Sequence, residues 1–78
     1  MLKYKLNVSD ALERAGFNFY KAKKSGLLSQ NTLIKLKNED VNISTKSINN
    51  LCLILDMQPK DIFIYVESQE DIEQKKKL

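Results

Sequence analysis

Apolar residues recur along this chain with two periods, and the period separates the elements. Leu2, Tyr4 and Leu6 alternate with Lys3 and Lys5, and a period of two predicts a strand of about five residues. Asn7 or Ser9 then caps a first helix running to about Ala15, with Ala11 and Leu12 facing inward and Val8 and Ala15 one turn away. Gly16 ends that helix, and Phe17 packs beside the next cap. Asn18 caps a second helix over about Phe19 to Ser25, which Gly26 closes; Ser29 caps a third over about Gln30 to Asn38. Glu39 to Ile43 form a polar connection. Ser44 or Thr45 caps a fourth helix, about Lys46 to Leu55. Its Ile48, Leu51, Cys52 and Leu55 follow the i, i+3, i+4, i+7 spacing of a buried stripe, and Leu53 and Ile54 widen it. Pro59 suits the first position of a helical turn and Asp61 its positive end, so one turn is expected at Pro59 to Ile62. Phe63 to Glu67 is β-branched and aromatic, which predicts a second strand. It pairs with the first, because isolated strands are unstable. Ser68 to Leu78 is polar and charged, a tail that is either frayed or a helical extension. The expected fold is all-α with five helices and a small two-stranded sheet joining the N- and C-terminal segments. Residues 1–67 form the domain and 68–78 a charged, flexible tail.

The second and third helices carry the chemistry. Each is short and opened by a capping residue, with a Gly-containing break between them. The third buries Thr32, Leu33 and Leu36 and leaves Gln30, Asn31, Ile34, Lys35 and Lys37 on other faces. That is a helix-turn-helix pattern, whose outward side chains can reach base edges. Charge follows the same division. Residues 1–37 hold eight basic and two acidic side chains, a net of +6; residues 38–74 hold two basic and eight acidic ones, a net of −6; Lys75, Lys76 and Lys77 follow. A positive half containing the helix-turn-helix is what phosphate binding requires. The competing reading is a set of solvated charges that happen to segregate.

Other classes are poorly supported. The 78 residues make one domain with a modest core, for which dimerisation is the expected support. No run of about 18 apolar residues exists, so no membrane span is expected. The opening MLKYKLNVSDAL lacks the apolar region of a secretory signal. Cys52 is the one cysteine, too few for an internal disulfide, and reads as a small buried hydrophobe; a reducing cytoplasm is the expected location. The absence of histidine argues against an activated Cys52 nucleophile and a recognisable zinc ligand set, so no catalytic residue, metal, cofactor or small-molecule ligand is expected. Glu67, Glu70, Asp71 and Glu73 read as solvated charge.

Four segments carry a resemblance: Tyr4-Lys5-Leu6; Leu27-Leu28-Ser29-Gln30-Asn31-Thr32-Leu33; Lys35-Leu36-Lys37-Asn38; and Leu51-Cys52 with Leu55-Asp56-Met57-Gln58-Pro59-Lys60-Asp61-Ile62. In this order they resemble the Cro and lambda-repressor-like (Xre-type) helix-turn-helix family, in a branch of very small bacterial and phage-related regulators, over about residues 2 to 67. The last segment is similar to a Leu-Asp-Cys-Gln-Pro-Gly-Asp-Ile stretch common there. The resemblance implies a sequence-specific regulator of transcription, a repressor, bound to double-stranded DNA as a homodimer with its third helix in the major groove. Carried over by position, Gln30 and Asn31 read bases, since a carboxamide pairs bidentately with adenine. Lys35 reaches guanine or a phosphate, and Ile34 a thymine methyl. Ser29, Phe19, Tyr20, Lys21, Lys23, Lys24, Lys37 and Asn38 meet phosphates, with one of the two aromatics expected in the core. For Asn38 a left-handed helix end is equally open. The chain departs from relatives in carrying Leu27 two residues before the third helix's cap, and Glu39 and Asp40 after Asn38, where a glycine is usual. Two carboxylates there repel a nearby phosphate. The rival to DNA binding is a protein-interaction module using a patch of Leu53, Ile54, Ile62 and Ile64.

Overall fold

The computed structural model describes all 78 residues. Their order is β1 (Leu2–Tyr4), α1 (Val8–Arg14), α2 (Phe19–Ser25), α3 (Gln30–Lys37), α4 (Thr45–Leu55), α5 (Pro59–Ile62), β2 (Phe63–Tyr65) and α6 (Gln69–Lys75). The fold is mostly helical with a small antiparallel sheet, as the patterning predicts. A sixth helix is added where the tail was expected.

Side-chain caps set most helix starts. The Asn7, Asn18, Ser29, Ser44 and Ser68 oxygens each accept the backbone N–H three residues on, which satisfies donors that have no partner inside the helix. The alternatives left open by the sequence resolve to Asn7 rather than Ser9, and to Ser44 rather than Thr45. Gly16 (φ 77°) and Gly26 (φ 69°) close α1 and α2 in left-handed geometry. Nothing lies within 4 Å of where a Cβ on Gly26 would sit, so conformation and not space selects glycine there.

Six side chains form the core: Val8 and Leu12 from α1, Leu28 from the α2–α3 turn, Leu36 from α3, Leu51 from α4 and Ile62 from α5. Tyr4, Phe17, Leu33, Cys52, Leu55 and Phe63 pack around them half-buried. Two expectations fail here. Ala15 is exposed, because α1 already ends at Arg14. Ile62 is fully buried and cannot belong to a surface patch; of that proposed group Leu53 and Ile64 are exposed and Ile54 is half-buried.

The strands are three residues each, shorter than the patterns suggest. They pair as Leu2 with Tyr65, Lys3 with Ile64 and Tyr4 with Phe63. Backbone bonds from Lys5 to Ile62 (2.8 Å) and from Val66 to Met1 (2.9 Å) continue the ladder past both ends. The Tyr4 and Phe63 rings meet with centroids 5.1 Å apart, and the Tyr4 hydroxyl donates to the Asp40 carbonyl at 2.7 Å. One side chain therefore ties the sheet to the loop after α3. Burial, with the Asp40 charge as a lesser cause, pushes the Tyr4 hydroxyl pKa above its ordinary value.

Helix α6 buries none of its residues. A capping box between Ser68 and Asp71 starts it, the Met1 ammonium pairs with Asp71, and Lys75 pairs with Glu67 at 3.4 Å. The molecule measures 47 × 21 × 18 Å. Its radius of gyration of 14.2 Å exceeds the roughly 11–12 Å of a compact chain this long.

Candidate nucleic-acid interface

Helices α2 and α3 pack against each other through a turn of Gly26, Leu27 and Leu28. Ala22 anchors the inner face of α2 and Leu28 that of the turn; Leu36 anchors the inner face of α3, and all three are buried. Inside the turn the backbone has few partners of its own. Gly26 donates to the Ala22 carbonyl at 2.9 Å. The Leu27 N–H donates to Ser25 Oγ at 3.3 Å, and the Leu27 carbonyl accepts from Asn50 Nδ2 of α4 at 2.7 Å.

At the start of α3, Ser29 Oγ accepts the Thr32 N–H at 3.1 Å and shares a 2.9 Å bond with the Thr32 hydroxyl. Those two side chains take the capping work, and Gln30 and Asn31, in the first turn, are exposed. Ile34, Lys35 and Lys37 are exposed further along the helix. Gln30, Asn31 and Ile34 thus lie outward together on one short helix. Lys35 is placed differently: its ammonium donates to the Asn42 carbonyl at 3.0 Å. Its charge also helps hold the Asp40 carboxyl below the ordinary range. The larger causes there are the backbone N–H of Asn42 and then the Asn42 side-chain amide, both 2.9 Å from the carboxylate.

The basic side chains of α2 are exposed. Lys24 lies over the Tyr20 ring, 5.7 Å from its centroid, a cation–π distance. Lys21 reaches back over Gly16, its Nζ 3.6 Å from where a Cβ would be. Phe19 and Tyr20 are 64% and 70% exposed, so neither is a core residue. The inward position of α2 is filled by Ala22, three residues after Phe19, and Phe17 before the helix supplies the aromatic contact to the core.

At the far end of α3, Asn38 has φ −88°, which removes the left-handed reading for that residue. The left-handed position is the next one, Glu39 at φ 59°. Its carboxylate is exposed beside the last turn of α3.

The residue that sequence reasoning missed is Asn50. It is 6% exposed, the one buried polar side chain. It lies beside the apolar stripe of α4 and not on it, so periodicity gives no sign of it. The available signal is its type: asparagine has poor helix propensity, and in mid-helix it invites a search for a tertiary partner.

No group of His, Cys, Asp and Glu is arranged to hold a metal ion, and no helix is long and apolar enough to cross a membrane. A family model described as a Cro/C1-type HTH DNA-binding domain matches residues 20–68, more than half of the chain, from within α2 to the cap of α6. No curated protein and no solved structure matches.

Proposed function

The chain belongs to the Cro/C1-type helix-turn-helix DNA-binding family, and from that premise we propose that it is a sequence-specific transcriptional repressor that reads the major groove of double-stranded DNA with α3. The carrying observation is the pair of exposed carboxamides, Gln30 and Asn31, in the first turn of α3, beside the exposed lysines of α2. Such an amide can donate to adenine N7 and accept from the adenine amino group together. Ile34 meets a thymine methyl. Ser29, Tyr20, Lys21, Lys23, Lys24, Lys37, the Asn38 side chain and the backbone N–H of Phe19 approach phosphates, which position the helix without specifying sequence. Lys35 holds the Asp40–Asn42 loop in the free protein and turns to guanine or phosphate on binding. The protein acts by occupancy rather than by catalysis, in the cytoplasm.

The repressor binds as a homodimer on two half-sites one helical turn apart and excludes a competitor. Leu53 of α4, 64% exposed, with Ile64 and Tyr65 of β2, supplies apolar surface for the second copy. The same surface is what a protein-interaction module would use, and selection separates the readings. Selection from random duplex DNA at fixed salt is expected to enrich a palindrome with half-site centres about 10–10.5 base pairs apart. Recovery of unenriched sequence, with binding that vanishes uniformly as salt rises, overturns the proposal.

A further inference from the structure

We propose that Asn50 is a positioning residue for base reading: its side-chain amide, reaching from α4, fixes the angle at which α3 leaves the α2–α3 turn. The inference rests on the reading of α3 as the recognition helix. The Asn50 amide is buried and donates to the Leu27 carbonyl at 2.7 Å. Asn49 Nδ2 donates to Asn50 Oδ1 at 3.3 Å, so the amide is also held from behind. Leu27 lies in the turn, outside both helices, and both of its backbone polar groups are satisfied by side chains: its N–H by Ser25 and its carbonyl by Asn50. The Ser25 bond is local to α2. The Asn50 bond is the one hydrogen bond from α4 into the helix-turn-helix unit.

Two residues after that anchored carbonyl comes the Ser29 cap, and Gln30 and Asn31 follow directly. Any rotation about Leu27 is carried into both carboxamides. Base-edge hydrogen bonds are lost with displacements of about half an ångström. Apolar packing of Leu28 and Leu36 holds α3 on the core, but such packing is non-directional. The directional constraint at the turn comes from Asn50.

The test compares the wild type with Asn50→Leu, which keeps the number of side-chain heavy atoms and removes the donor, and with Asn50→Ala, which removes the donor without adding bulk or charge. Affinities for the selected operator and for unrelated duplex are measured at one salt concentration, below each variant's own melting midpoint. A fully folded variant is expected to lose about tenfold or more in the ratio of operator to unrelated-DNA affinity, with its affinity for unrelated DNA unchanged. A role in stability alone would lower the melting midpoint and leave that ratio at the wild-type value, and this result in either folded variant overturns the proposal. If the wild type itself shows no preference for any duplex, the reading of α3 fails and the positioning role fails with it. Loss confined to the variants leaves the reading of α3 standing and supports the role of Asn50.

Discussion

Glu39 holds a left-handed backbone, φ 59°, that costs a side-chain-bearing residue about 1–2 kcal/mol. Glu39→Gly removes that cost while adding freedom to the unfolded chain, for an expected net gain of about 0.5–1 kcal/mol in chemical denaturation. The same change deletes a carboxylate at the end of α3, so affinity for duplex DNA is expected to rise at low salt and converge with wild type at high salt. Among the exposed side chains the expected signatures differ by role. Gln30→Ala or Asn31→Ala reduces discrimination at one or two base positions by about 1–3 kcal/mol, read from binding to single-base operator variants. Lys23→Ala or Lys24→Ala weakens all sequences alike and lowers the log–log salt slope by about 0.9 for each phosphate no longer neutralised. At this scale the sequence was legible wherever a role depends on residue type plus helical position. That is why the exposure of Gln30, Asn31, Ile34 and Lys37 followed from spacing. It was opaque where a role depends on what lies across the fold. Asn50 meets Leu27 from 23 residues away, and Lys35 turns to Asn42, and neither pairing leaves a trace in local periodicity.

The elements were predictable because most carry their own start and stop signals. Asn18 and Gly26 bracket α2; Ser29 opens α3, while its left-handed stop falls on Glu39, a residue type that carries no such signal. Ser29→Ala is therefore expected to cost about 1 kcal/mol, seen as a lower midpoint in thermal unfolding, with Ser29→Gly costing only a few tenths. The strands were overextended by the same reasoning, since alternation continues through Leu6 and β-branching through Val66 while pairing needs a partner opposite. Only three residues on each side pair as strand, with a single backbone bond beyond them at each end. Helix α6 depends on Asp71, whose carboxyl is held well below the ordinary range by its bond to the Met1 ammonium and then by the backbone and hydroxyl of Ser68. A carboxyl with a lowered folded-state pKa contributes stability that is complete above its unfolded value of about 3.9 and is lost progressively as pH falls from there through the lowered folded-state value. Acidification well below about pH 4, toward the lowered folded-state value, is thus expected to release α6, seen as collapse of amide dispersion for residues 69–75 in NMR spectra. Asp71→Asn should show that release already at neutral pH.

For the whole molecule, a core of six buried aliphatic side chains leaves a domain of this size little reserve. Leu51, completely buried, is expected to cost about 2–5 kcal/mol when cut to alanine. In the proposed homodimer a second copy adds apolar burial, so Leu53→Asp is expected to shift sedimentation toward the monomer and to remove any dependence of melting on protein concentration; an unchanged sedimentation profile overturns a dimer through this surface. The two-stranded sheet joins Leu2–Tyr4 to Phe63–Tyr65, across some sixty residues of intervening chain. Closing so distant a pair carries the largest entropy loss in the fold, and Tyr4 can be clamped between Phe63 and the Asp40 loop only after that closure. A chain clipped before β2 would thus keep α2 and α3 on an unlocked frame, and, on the proposed reading of α3, its competence for operator binding would go with Phe63.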